Sequence, residues 1–217
     1  MLDSHTKKDI EKISLDILKQ SKSIDVFPTP VDTIRQFTEL KLENGIDLSK
    51  VSSTFFERVL DSSIEGLRTL QSGLSKVKGF FDREDKTVYV DANQKGGRKV
   101  FTELHEIGHS VLPWQSNVMT ATDNEETLLG LFEDQFEAEA NYFASITLFQ
   151  HDRFTEEVSK LPLTIGSGMS LAKKFGSSVH ASLRNYVLSS KNNCALLVLN
   201  PIKGAKGNKG VCSTRNI

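Results

Sequence analysis

Apolar residues recur along this chain at two different periods, and the switches between them mark out the elements. Ile10, Ile13, Ile17 and Leu18 share one helical face and predict a helix over 6–20. Pro28-Thr29-Pro30 interrupts that pattern. Thr29 and Pro30 suit the N-cap and first turn of a short helix reaching about Leu40. Val51, Phe55, Val59, Ile64, Leu67 and Leu70 predict a longer helix over 51–72. The signal then changes. Residues 77–82 and 86–91 are short runs rich in Val, Phe and Tyr on either side of Arg83-Glu84-Asp85, which predicts a β-hairpin.

Helical spacing returns with Val100, Phe101, Leu104, Ile107, Val111 and Leu112, and Pro113 ends that helix. A second strongly helical run covers about 124–149, with Leu128, Leu129, Phe132, Phe136, Phe143 and Leu148 as core contacts. Residues 153–161 and 170–190 read as helices, the latter turning Leu171, Ala172, Phe175, Val179, Leu183, Tyr186 and Val187 inward. Cys194–Leu199 reads as a short buried strand. The chain from 201 to 217 carries four basic residues and no acid, and reads as a flexible tail. The expected organisation is an N-terminal helix (1–24), a main domain (25–200) with a helical C-terminal part (153–190), and that tail. The fold class is α+β: mostly helical, with a small β-hairpin or sheet.

Composition narrows the class without naming a chemistry. At 217 residues and 38% hydrophobic content, the chain suits one substantial core. It has no apolar run of about 18 residues, so no membrane span is expected. The N-terminus carries no secretory signal, and Cys194 and Cys212 make no disulfide framework; both point to a cytoplasmic protein.

The net charge of −1 conceals an asymmetry. Residues 100–152 hold ten Asp and Glu and no Lys or Arg, which leaves 18 acids and 27 bases for the rest. A negative field over that block favours a divalent cation and cationic substrate segments, and it argues against a nucleic-acid partner there.

Inside the acidic block stands His105-Glu106-Ile107-Gly108-His109, an H-E-x-x-H pattern on a predicted helix. Residues i and i+4 share a helix face, with Cβ atoms about 5–6 Å apart. Two imidazoles so placed can converge on one Zn²⁺ at about 2.0–2.1 Å. Glu106, next to the first ligand, then lies near the water the metal would hold and can act as its general base. The helix beside the hairpin thus gives the fold a zincin-like character.

A hydrolytic zinc site needs a third protein ligand and an open position. Glu137 in the second helical run is the favoured source, and Glu139, elsewhere on the same helix, is the competing ligand. Asn141 shares a face with Glu137 and could hydrogen-bond a ligand imidazole. Small Ala138, Ala140 and Ala144 would let the two helices approach closely. Tyr89 and His180 are candidate oxyanion donors. Strand 86–91 is a candidate edge on which an extended peptide could dock.

The HEIGH block and Glu137-Ala138-Glu139-Ala140-Asn141-Tyr142-Phe143-Ala144, beginning 28 residues after His109, together resemble the ImmA/IrrE family of metallo-endopeptidases. The lead-in Val88-Tyr89-Val90-Asp91-Ala92-Asn93 and the later Leu171-Ala172-Lys173-Lys174-Phe175-Gly176-Ser177-Ser178 are similar to the family too, so that the resemblance covers about 25–190. It implies one zinc per chain, held by His105, His109 and Glu137 in a gluzincin-like site with Glu106 as base. It also implies a protein substrate, of the helix-turn-helix repressor kind found in bacteria and their mobile elements. The chain departs from the family at Thr147-Leu148-Phe149-Gln150-His151, where many members carry Met-Pro.

Two other classes compete. A non-catalytic, metal-dependent regulatory or toxin–antitoxin-type protein could bind a transcription regulator; Glu106 speaks against it, since a purely structural site has no use for a base there. A helix-turn-helix over 170–190, with Gly176 at its turn, could bind DNA. Polar Ser182, standing where a buried aliphatic is expected, speaks against that.

Overall fold

A computed structural model describes residues 2–50, 78–115, 126–191, 193–201 and 212–214. Among them the elements run α1 (Ser4–Gln20), α2 (Val31–Phe37), β1 (Lys41–Glu43), β2 (Gly79–Asp82), β3 (Thr87–Val90), α3 (Gly97–Val111), α4 (Glu126–Leu148), α5 (Asp152–Ser159), α6 (Ile165–Phe175), α7 (Val179–Ser189), β4 (Leu199–Pro201) and β5 (Cys212–Thr214). The architecture is mostly helical with a small mixed sheet, an α+β fold. The helix expected over 51–72 lies outside the described residues. No described helix is long and apolar enough to cross a membrane.

Helix α1 starts where Asp3 accepts hydrogen bonds from the backbone N–H groups of His5 and Thr6. Its buried face, Ile10, Ser14, Ile17 and Leu18, packs on α4. Ile10, Ile17 and Leu18 join the same core as Leu104, Ile107, Phe143, Leu148 and Phe175. The first element is therefore part of the packing that supports the rest.

Helix α2 corrects the expected cap. It starts at Val31, with Pro30 before it, and no side chain caps it. The Thr29 hydroxyl instead donates to the Leu148 carbonyl at 2.8 Å, satisfying an acceptor at the end of α4. Gln150, fully buried, ties the same corner by accepting from Asp25 N and donating to Val26 O. The segment 147–151, which replaces Met-Pro, thus anchors the N-terminal part of the chain. Within it Thr147 also hydrogen-bonds Ser14 at 2.7 Å.

The hairpin forms as β2 antiparallel to β3, but β3 has a second neighbour. Strand β1 pairs with it in parallel, giving the order β1-β3-β2. Strand 86–91 is therefore central, which removes it as a docking edge. Three-residue β1 carries too short an alternation to be read from sequence, so the hairpin alone was visible. Val88 and Val90 face the helices and are buried; Tyr89 lies on the other face, where its ring stacks on Phe80 at 4.4 Å.

The helical stretch read over 170–190 is a packed pair of helices, α6 and α7. Gly176 sits between them at φ +75°, a left-handed C-cap, and Ser178 caps α7 by accepting from Ala181 N. The inward face of α7 differs in part from the expected one: Tyr186 is buried as expected, but Ser182 is buried too and Val179 is exposed. Ser182 can turn inward because its hydroxyl pairs with that of Ser177 at 2.7 Å. Residues 193–198 form no strand and are partly or fully exposed, contrary to the buried strand expected there; the strand is β4, paired with β5.

Candidate metal centre

Helix α3 carries the H-E-x-x-H residues and is placed from three sides. At its start, Gly97 lies so close to the backbone of Ser177 and Ser178 that a Cβ would overlap it. From α2, Arg35 Nε donates to buried Glu103 at 2.9 Å. On the third side α3 packs along α4 in the most extensive helix pairing of the described residues. The close approach there is made by Gly108. A Cβ at that position would come within 3.1 Å of Phe143 and 3.3 Å of Ala140 Cα. Ala140 is fully buried in this interface and Ala144 is fully buried one turn on, whereas Ala138 is exposed.

This approach brings three side chains together. His105 Nε2 and His109 Nε2 lie 3.1 Å apart. Glu137 spans the pair, one oxygen 3.3 Å from His105 Nε2 and the other 3.2 Å from His109 Nε2. A tetrahedral zinc with ligands at about 2.0–2.1 Å has ligand–ligand edges of about 3.3 Å. The two nitrogens and the two carboxylate oxygens are thus spaced on the scale of such edges, and two imidazoles plus a carboxylate form a suitable donor set. Both imidazoles are partly buried, while Glu137 is half exposed, leaving an approach from solvent.

Glu106, next to His105 on the helix, is buried and close enough to both imidazoles and to Glu137 to feel their charge. One of its oxygens lies 2.8 Å from where a Cβ of Gly79 would stand, so β2 forms the wall beside it. Burial pushes its carboxyl up to about 7, against the pull of His105 and His109. Hydrogen bonds from His105 and His109 hold Glu137 far below the usual carboxylate range. Burial works against charge on His109, but the hydrogen bonds to Glu137 and Gln115 and the charges of Glu106 and Glu137 together outweigh it, and its pKa is raised.

The other sequence candidates lie elsewhere. Glu139 is fully buried and turned away from the imidazoles. Its carboxylate accepts from Trp114 Nε1 at 2.7 Å, Gln115 Nε2 at 2.8 Å and Gln135 Nε2 at 2.9 Å. Asn141 is exposed; the partner of His109 Nδ1 is Gln115 Oε1, at 2.9 Å. Sequence reasoning missed Gln115 because it lies beyond Pro113, where helical spacing no longer relates it to His109. Tyr89 is on the sheet face opposite α3, because strand side chains alternate. His180 is exposed in the first turn of α7, beside Ser178, which packs against the opposite end of α3 from the histidines. Neither is placed to serve as an oxyanion donor.

Compared with known families, the chain matches the family model of the IrrE N-terminal-like domain over residues 64–185, a span that includes both site helices. No curated protein matches it.

Proposed function

The chain belongs to the IrrE N-terminal-like family of peptidases, and on that premise we propose that it is a zinc-dependent endopeptidase acting on a protein substrate. The observation that carries the reading is the convergence of His105, His109 and Glu137 at tetrahedral-edge spacing, with buried Glu106 alongside.

In this reading His105, His109 and Glu137 hold the metal and Glu106 is the catalytic base. When bound, zinc supplies Lewis acidity, polarising a peptide carbonyl and making a water easier to deprotonate. Glu106 takes that proton on its carboxylate and delivers it to the departing amine. Its burial suits both steps, since a carboxyl raised towards neutrality accepts and releases a proton near physiological pH. Glu137, held as a carboxylate, contributes the one negative protein ligand. Strand β2 runs beside Glu106 through Gly79 and is the candidate to align an extended substrate.

The substrate we infer is a regulatory protein of the helix-turn-helix repressor kind, to which the family resemblance points. The acidic character of residues 100–152 favours a cationic segment at the cleavage site.

The test is metal analysis and cleavage on matched variants. Wild type and Glu106→Gln should each carry zinc at about one per chain, the complement of a three-ligand site. Glu137→Ala should lose most of it. Protein fragments that appear with wild type and not with Glu106→Gln would identify the substrate. Equal cleavage by both would refute the assignment of Glu106.

A further inference from the structure

The hydrogen bonds behind His109 form a chain with only one consistent direction. Gln115 is fully buried and its amide contacts three groups. Its Nε2 lies 2.8 Å from Glu139 Oε2 and 3.3 Å from the Phe136 carbonyl. Its Oε1 lies 2.9 Å from His109 Nδ1. A carboxylate and a carbonyl offer only acceptors, so both must face the amide's N–H donors. The amide oxygen is thereby left facing the imidazole, and an oxygen can only accept there. His109 Nδ1 must carry a proton and donate it.

Glu139 is fixed just as firmly. Three N–H donors, from Trp114, Gln115 and Gln135, converge on its two oxygens inside the fold. Gln115 and Trp114 come from the segment after α3, while Gln135, Phe136 and Glu139 lie on α4. The chain of hydrogen bonds therefore joins the same two helices that supply the metal donors.

We propose that Glu139 and Gln115 are positioning residues for the metal: Glu139 sets the orientation of the Gln115 amide, and Gln115 holds the His109 proton on Nδ1. When zinc takes the place of the proton that Nε2 shares with Glu137, the Nε2 lone pair is then the one aimed at the point shared with His105 and Glu137. An imidazole in the other tautomer would present an N–H to the metal and could not bind it. This inference rests on the metallopeptidase reading and adds to it a role for two residues that touch neither metal nor substrate.

The experiment measures zinc affinity by competition with a chromophoric chelator, for wild type, Gln115→Leu and Glu139→Gln. Loss of such outer hydrogen bonds typically weakens metal binding about 10- to 100-fold, and that loss is expected for each single variant. In Glu139→Gln the new amide can donate to Gln115, letting the Gln115 amide turn its N–H towards His109. The zinc-loaded wild type supplies a reading that needs no variant: imidazole ¹⁵N spectra should place the His109 proton on Nδ1. A proton on Nε2, or wild-type affinity in Gln115→Leu, would overturn the proposal. A wild-type chain that takes up no zinc would instead sink the metallopeptidase reading beneath it.

Discussion

Gly79 on β2 and Glu106 on α3 meet with no room between them. A Cβ on Gly79 would stand 2.8 Å from a Glu106 oxygen, 2.6 Å from the Thr102 methyl and 2.9 Å from the Tyr89 carbonyl. The glycine is therefore required by close approach, since its φ is not left-handed. Gly79→Ala should displace the Glu106 carboxylate while leaving the three metal donors in place. Misplacement of a reacting group by about 1 Å can cost on the order of 100-fold in rate. The expected outcome is a large fall in kcat with zinc content unchanged, checked by steady-state cleavage and metal analysis of the same preparation.

Gly108 has a related role at the α3–α4 contact. Its neighbours Ala140 and Phe143 already lie at the limit of van der Waals contact with any added Cβ. Gly108→Val should push the two helices apart and separate the imidazoles from Glu137. Overpacking of this kind typically costs about 1–3 kcal/mol. Both thermal stability and zinc affinity should fall, and a variant with native affinity would show that the interface can yield.

The Arg35–Glu103 pair makes a pH-dependent prediction. Burial raises the Glu103 carboxyl, and the hydrogen bond and charge of Arg35 oppose that rise. An acid with a raised folded-state pKa binds more protons folded than unfolded. Stability therefore falls as pH climbs from the ordinary carboxylate range through the raised value. Arg35→Met should deepen this effect by leaving a buried carboxylate unpaired, at a cost of about 3 kcal/mol near neutral pH. Denaturant melts at pH 5 and pH 8 should show the penalty shrinking towards the lower pH, as Glu103 takes up a proton. An equal penalty at both would contradict the account.

Leu18 tests how far the first helix supports the rest. It is fully buried on α1 and belongs to the core that also holds Leu104 and Phe143. Leu18→Ala should cost roughly 2–5 kcal/mol by transfer and cavity. The loss should appear as one cooperative shift in the melt, with α1 and the metal helices unfolding together. A separate low-temperature transition would mark α1 as an independent unit.

Much of this was legible in the chain because it is local. Helix α3 is visible from apolar residues at spacings of three and four, and its i, i+4 histidines share a face whatever surrounds them. The hairpin follows from two β-rich runs around a polar turn. The phase of α7 was not legible, because a hydroxyl pair between Ser177 and Ser182 let a polar residue occupy the buried face.

Sequence by itself determined the donor types, their spacing on one helix and the acid beside them, because covalent order and helical period fix such relations. Only the tertiary structure decided which distant carboxylate meets the imidazoles. Glu137 and Glu139 are two residues apart and so point to different sides of α4; the packing of Gly108 on Ala140 turned one to the histidines and sealed the other behind them. The same packing set Gln115 against His109 and put β3 between two strands. Those relations depend on how separate elements lie against each other in space, which no periodicity along a single element encodes.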